Sequence, residues 1–299
     1  MDEAAHYQEL TDTVRFSMNE RIEKERIERA IDSVIIVFEG NPYNELLLYS
    51  YNCTRDNYLY GHIVNNVVLS VAFATYLGLS RQDIQDTALC AFGHDFGMKD
   101  YLDFFQKSTA LTEQETQSIH EHPQKSAEMF KSFFPQRIID GIMDMHECVN
   151  GQGYPNGKVG PEISSIAKIV SLCDVFEALT HPRAFRGEFS PYAAIKMLIM
   201  KKDIIFEKKM VKKFVEFMSI YPIGSLVHLN TGEIGIVIAA NHQFPTRSIL
   251  RVLMNTERQA QQDGRVINLL NDQLVYINGP VEPKEEKELR AAFAVSAKG

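Results

Sequence analysis

Between Ile31 and Met218 the apolar residues recur mostly three and four positions apart, the period that lays side chains along one face of an α-helix. Gly40-Asn41-Pro42, Gly78, Gly97, Pro123, Pro135, Gly151 to Pro155, Gly160-Pro161 and Pro182 interrupt that period. The stretch therefore predicts an all-α domain of about seven or more helices. Thr112-x-x-Glu115 predicts a capping box at one helix start, and Pro123 suits the first turn of the next. Upstream, from Thr11 to about Ala30, Glu20, Arg21, Glu23, Lys24, Glu25, Arg26 and Glu28 pair at helical spacing and predict a solvated helix. After Ser219 the pattern changes to short β-branched or alternating runs: Ser225-Leu-Val-His-Leu, Gly235-Ile-Val-Ile-Ala, Ser248-Ile-Leu-Arg-Val-Leu and Asp272-Gln-Leu-Val-Tyr-Ile. Asn230-Thr-Gly232, Phe244-Pro245 and Asp263-Gly264 separate them, which predicts a small β module from Tyr221 to about Asn278. The expected organisation is mainly α: N-terminal helices over 1–60, a helical bundle over 61–218, the β module over 219–280, and a terminal helix or tail over 281–299.

A chain of 299 residues can bury a sizeable core without disulfides. Its net charge of −8 argues against a general binder of DNA or RNA, although a few local cations can still hold a small anion. Cys53, Cys90, Cys148 and Cys173 are widely spaced and form no CxxC, which fits a reducing cytoplasm. The acidic, polar start MDEAAHYQEL does not read as a secretory signal, and no apolar run approaches the ~18 residues of a membrane span, so no membrane partner is expected. The histidines change the picture: five of the nine, His62, His94, His120, His122 and His146, fall within a single stretch of the helical region.

Placed on the expected helices, several apolar stripes end in ionisable groups. Ile84, Ala88 and Ala91 lead to Asp95 with His94 beside it; Ile163, Ala167 and Val170 lead to Asp174; Ile139 and Ile142 lead to His146. An unpartnered carboxylate on a buried face costs several kcal/mol, and no lysine or arginine stripe faces these positions. Histidines do, and imidazole with carboxylate is a ligand set for a divalent transition metal such as iron, manganese or zinc. Any one of these residues alone reads equally as a hydrogen-bonded core residue or a helix cap; the metal reading rests on the whole set.

His62, the doublet His94-Asp95 and Asp174 within Cys-Asp-Val-Phe-Glu-Ala-Leu-Thr resemble the H…HD…D signature of the HD phosphohydrolase superfamily. His120-Glu-His122-Pro123, His146-Glu147 with Gly151-Gln-Gly153-Tyr154-Pro155, and the run from Asp174 to Arg186 narrow the resemblance to the HD-GYP subfamily. The resemblance implies a helical bacterial signalling domain that hydrolyses cyclic di-GMP with a cluster of two divalent transition metals, iron or manganese. It assigns His62, His94, Asp95 and Asp174 to one metal and makes Asp95 a bridge to a second, held by His122 and His146. It gives Gly153, Tyr154, Pro155, Arg183 and Arg186 to the substrate, with the Tyr154 ring offered to a guanine or to a partner domain.

Four positions depart from the subfamily pattern, the mildest being Asn150 in place of the usual aspartate. Met98 stands where a phosphate-touching lysine is expected, with Lys99 next along as the substitute. Met145 stands where a further imidazole is expected, and a thioether is a poor ligand for such ions. Tyr58 stands where a third metal would need a glutamate. Two readings stay open: a cyclic-dinucleotide phosphodiesterase using Asp95 and Lys99, or a degenerate relative that binds the dinucleotide or a partner with little or no hydrolysis. Regulation is expected through a partner signalling domain, a homodimer or the β module. Of the remaining candidates, His120 reads as surface or supporting, Lys168 as a surface lysine, and His181, His228 and His242 as uninvolved.

Overall fold

The computed structural model describes residues 3–41, 58–105, 107, 111–181, 189–241, 244–261, 263–282, 284–286 and 288–289. The chain divides into two compact units, one of residues 1–188 with 198–211 and the other of residues 189–197 with 212–299. No helix among the described residues is long and apolar enough to cross a membrane.

The first unit is helical. α1 (Glu3–Asn19) and α2 (Lys24–Phe38) lead to α3 (Tyr58–Tyr76) and α4 (Arg81–Gly93), followed by a 3-10 helix (Phe96–Tyr101) and the short α5 (Leu102–Phe105). α6 (Glu113–Ile119), α7 (His122–Phe130), α8 (Gln136–Met143) and α9 (Ser165–Thr180) complete the bundle. The run Ile63-Val-Asn-Asn-Val-Val-Leu-Ser-Val-Ala-Phe is apolar nearly all round, and α3 is accordingly buried from His62 to Ala74, packed against α1, α2, α4 and α9. Both of its buried asparagines are hydrogen-bonded: Tyr7 donates to Asn65 Oδ1 at 2.7 Å, and Ser70 Oγ donates to Asn66 Oδ1 at 3.2 Å. The Thr112–Glu115 capping box closes the start of α6 in both directions, and Pro123 lies in the first turn of α7. Phe92, Phe96, Phe130 and Phe134 form an aromatic cluster between α4, the 3-10 helix and α7.

One helix is shorter than the apolar stripe suggested. The period through Asp83 predicts a helix running to Phe96, but α4 stops at Gly93 and His94-Asp95 occupy the break before the 3-10 helix. Close packing dictates the break. A Cβ on Gly97 would lie 2.4 Å from the His122 carbonyl oxygen, so only glycine lets the 3-10 helix press onto the start of α7. Ser126 locks the approach, donating to the His94 carbonyl at 2.8 Å and accepting from the Gly97 amide at 2.8 Å.

α10 (Pro191–Met200) and α11 (Lys208–Met218) precede the strands. In the second unit β1 (Leu226–Leu229), β2 (Ile234–Ala239), β3 (Ile249–Met254), β4 (Val266–Asn268) and β5 (Ile277–Pro280) form an antiparallel sheet in the order β4-β3-β2-β1-β5. Val227, Leu229, Val237, Leu250, Val252 and Ile267 fill its core. Of the expected strand Asp272-Gln-Leu-Val-Tyr-Ile only Ile277 is in β5, which runs on to Pro280, the rest being turn or irregular, and β4 is a strand that the pattern did not announce. Asparagines account for the turn. The Asn268 carbonyl accepts from the amides of Asn271 and Asp272, both at 3.0 Å, and the Asn230 side chain takes up the Tyr276 amide and the Leu274 carbonyl, both at 2.9 Å. In the terminal segment, 284–286 and 288–289 are helical.

Candidate metal centre

Five elements bring six side chains to one place. His62 lies in the first turns of α3; His94 and Asp95 follow α4; His122 opens α7; His146 follows α8; Asp174 lies in the middle of α9. His62 Nε2 is 2.9 Å from Asp174 Oδ1 and 3.5 Å from Asp95 Oδ2, and His94 Nε2 is 3.4 Å from Asp174 Oδ1 and 3.7 Å from Asp95 Oδ1. On the other side Asp95 Oδ1 is 3.3 Å from His122 Nε2, which faces His146 Nε2 at 2.9 Å. His62, His94 and Asp95 thus make one convergent group and Asp95, His122 and His146 another, with Asp95 in both.

The proton positions follow from the far side of each ring. Nδ1 of His94 and of His122 lies 2.7 Å from a backbone carbonyl, of Ala91 and Ile119 respectively, so each donates there, and in the neutral ring Nε2 is the lone pair aimed inward. Nδ1 of His62 is held by the Glu177 carboxylate. Glu177 is 2% exposed and accepts from Asn65 Nδ2 at 2.9 Å, and His181 Nδ1 sits 3.0 Å from it.

Burial opposes charge on His62, His94, Asp95, Asp174 and His146, yet mutual attractions win for all but the last. Burial disfavours the His62 imidazolium, but Glu177, Tyr58 and Asp174 raise its pKa well above the ordinary histidine value. Against the same burial, His62 and His94 hold Asp174 well below the carboxylate range, and the surrounding imidazoles do the same for Asp95. His146 goes the other way: burial, then the neighbouring His122, depress it to about 4 and keep it neutral. Among the described residues the cationic partners within 4.0 Å of Asp95 and Asp174 are imidazoles alone. Buried carboxylates facing inward imidazole nitrogens, with no lysine or arginine among the described residues to neutralise them, fit a divalent metal centre.

The other expected site residues are placed as follows. Lys99 is exposed on the 3-10 helix, while Met98 beside it is buried, and no ion pair joins Lys99 to the cluster among the described residues. Arg183 and Arg186 lie outside the described residues. Lys168 pairs with Glu207 at 2.6 Å. His228 pairs with Glu285 at 3.1 Å, and His242 lies outside the described residues. Gly153 is packed so closely that a Cβ would sit 2.3 Å from the Cys148 amide nitrogen, and the Tyr154–Pro155 bond is cis. The Tyr154 ring is half-buried and already stacked on imidazoles. It stacks on His120 at 3.8 Å between centroids and on His146 at 4.9 Å, interplanar angles 13° and 16°. The two imidazoles make no ring contact with each other, so they cover opposite faces.

Two supporting residues escaped the sequence reading, Glu177 and Glu147, while His120, read as surface or supporting, is a stacking partner of Tyr154. The Glu147 carboxylate, 4% exposed, takes up the amides of Asn156 at 2.7 Å and Lys158 at 2.8 Å and so shapes the glycine loop. Glu177 had a signal, since it follows Asp174 by three residues on a helix and must share its face. Glu147 had none, because its partners are set by a loop.

A family model described as an HD domain matches residues 58–207, half of the chain, and one described as a KOW domain associated with HD domain matches residues 226–289. A protein of Pseudomonas aeruginosa named a cyclic di-GMP phosphodiesterase is 27% identical over 219 residues, 72% of this chain and 53% of that protein. One of Borreliella burgdorferi with the same name of activity is 26% identical over 214 residues, 71% of this chain and 55% of the relative. A 3'3'-cGAMP-specific phosphodiesterase of Vibrio cholerae is 28% identical over 138 residues, 46% of this chain and 32% of the relative. The chain spans about half the length of the first two of these relatives. Among solved structures, an HDG"Y"P protein from Bdellovibrio bacteriovorus shares the fold with a TM-score of 0.60 at 20% identity, over 71% of this chain and 69% of that one. With this match over the helical unit and the ligand geometry it encloses, the chain belongs to the HD domain family.

Proposed function

We propose that this chain is a metal-dependent phosphodiesterase that opens a cyclic dinucleotide, cyclic di-GMP first among them, to the linear dinucleotide and on toward GMP. The observation that carries the proposal is the sharing of Asp95 between two imidazole-rich groups whose Nε2 atoms converge. The names of the relatives supply the substrate class. His62, His94, Asp95 and Asp174 would hold one ion, and Asp95, His122 and His146 the second, iron or manganese. Ions bound there would supply a water deprotonated near neutral pH and positive charge for the phosphoryl oxygens. The chain's own contribution is placement and neutrality: buried carboxylates offset the ionic charge, and Glu177 holds His62 in one orientation. Arg183 and Arg186, with Lys99, are the proposed cations for the phosphates. Free Cys90, Cys148 and Cys173 suit a reducing cytoplasm.

Elemental analysis of protein purified without oxygen, paired with a cyclic di-GMP hydrolysis assay on the same sample, tests the proposal. The expected result is two transition ions per chain with turnover. Less than one ion per chain, with no turnover after iron or manganese loading, would overturn it. Met145, 2% exposed where the subfamily has an imidazole, and Met98, 7% exposed where it has a lysine, favour a second reading in which the dinucleotide is bound but hydrolysed little. Tight binding of cyclic di-GMP without product would select that reading.

A further inference from the structure

The ligand histidines are not held alike. His94, His122 and His62 each have an oxygen at Nδ1: two backbone carbonyls and the Glu177 carboxylate. Among the described residues no oxygen is hydrogen-bonded to Nδ1 of His146, which lies beyond the end of α8 in an irregular segment. What it has is a ring. Tyr154 lies nearly parallel to it at 4.9 Å and edge-on to His122 at 6.3 Å, and the opposite face of Tyr154 is covered by His120 at 3.8 Å. The loop that carries Tyr154 is itself tied down: its amide donates to the His146 carbonyl at 3.1 Å, Gly153 packs against the backbone of 146–148, and Glu147 holds the amides of Asn156 and Lys158. A ring fixed on a braced loop restricts the rotation of the imidazole stacked on it, the task that an oxygen at Nδ1 performs elsewhere in the cluster.

We propose that Tyr154, backed by His120, is a positioning residue that orients His146 for the second metal ion, and that it does not serve as a stacking surface for a guanine. The inference rests on the two-ion reading above. Opening either face of the Tyr154 ring would uncover His146 or displace His120, so the stack and a stacked base exclude each other.

The test uses the full chain, loaded with manganese under anaerobic conditions. Metal stoichiometry and stepwise manganese titration are read for the wild type, Tyr154→Leu, Tyr154→Phe and His120→Ala, alongside equilibrium binding of cyclic di-GMP. Tyr154→Leu should keep the first ion and weaken the second about 10–100-fold, the range for losing a group that orients a ligand. Tyr154→Phe, which keeps the ring, should restore it, and His120→Ala should weaken the second ion severalfold. Two ions held with wild-type affinity in Tyr154→Leu, with only dinucleotide binding impaired, would overturn the inference and return the ring to the substrate. A wild-type chain that binds a single ion would overturn it too, and there the failure belongs to the two-ion reading. Should Tyr154→Leu not fold, His120→Ala decides, since it unpacks one face only, and an unchanged second-ion affinity in that variant overturns the inference.

Discussion

The two halves of the cluster share Asp95 but differ in how their imidazoles are supported. Around His62 and His94 the partners are oxygens on packed helices: Glu177 and Asp174 from α9, the Ala91 carbonyl from α4, and Asn65 bracing Glu177. Around His146 the support is a loop, with aromatic rings stacked in series and a thioether at Met145. A carboxylate at Nδ1 both fixes a ring and raises its basicity, whereas a stacked ring only restricts it. His122 is held by the Ile119 carbonyl as His94 is by that of Ala91, so the contrast lies at His146; on the two-ion proposal it makes the seat at His146 the weaker one, which bears on whether the chain hydrolyses or merely binds.

The largest effect should come from removing the residue that the halves share. Asp95→Ala is expected to lose both ions and to reduce hydrolysis by on the order of 10²–10³-fold or more, read by elemental analysis and product formation. Retention of either ion at full affinity would break the claim that Asp95 belongs to both groups. Next, Glu177→Ala should weaken the first ion about 10–100-fold and leave the second nearly unchanged, measured by manganese titration, the mirror image of the loss at Tyr154. Equal losses at both seats would show that the halves are not separately supported. Met145→His should raise second-ion affinity and turnover together, about tenfold each, or about 1.4 kcal/mol; a flat response would mean that the position does not reach the ion. Dialysis of the loaded wild type against a chelator should release the second ion before the first, and simultaneous release would erase the asymmetry. The smallest effect is expected at Asn65→Ala, which removes one hydrogen bond to Glu177 and should cost about threefold in first-ion affinity, within the ~0.5–1.5 kcal/mol of a typical bond.

Much of the site was legible in the chain because helical periodicity forces particular residues onto a buried face. Asp174 at the end of the stripe Ile163, Ala167, Val170, and the His94-Asp95 doublet after Ile84, Ala88, Ala91, announced ionisable groups aimed at a core. The reading of Asp95 as a continuation of its helix missed the break at Gly93, because the contact that requires it lies between Gly97 and His122, twenty-five positions away. The exposed Lys99 and the covered ring of Tyr154 are decided the same way, by packing between segments, which one-dimensional spacing does not encode. In the β module, alternation found the long runs β2 and β3. It misplaced β5 because the Asn230 side chain replaces backbone partners around Leu274 and Tyr276.

By itself the sequence determined the element types, the two-part organisation into helices and a small sheet, and the chemical kind of the cluster. Each of these follows from local period, turn residues and the cost of burying charge without a partner. Tertiary structure alone decided which imidazole is supported by what: Glu177 on His62, the Ala91 and Ile119 carbonyls on His94 and His122, and Tyr154 on His146. The physical reason is that orientation at a metal centre depends on angles and distances of a few tenths of an ångström between residues far apart in the chain, and only the packed fold sets those.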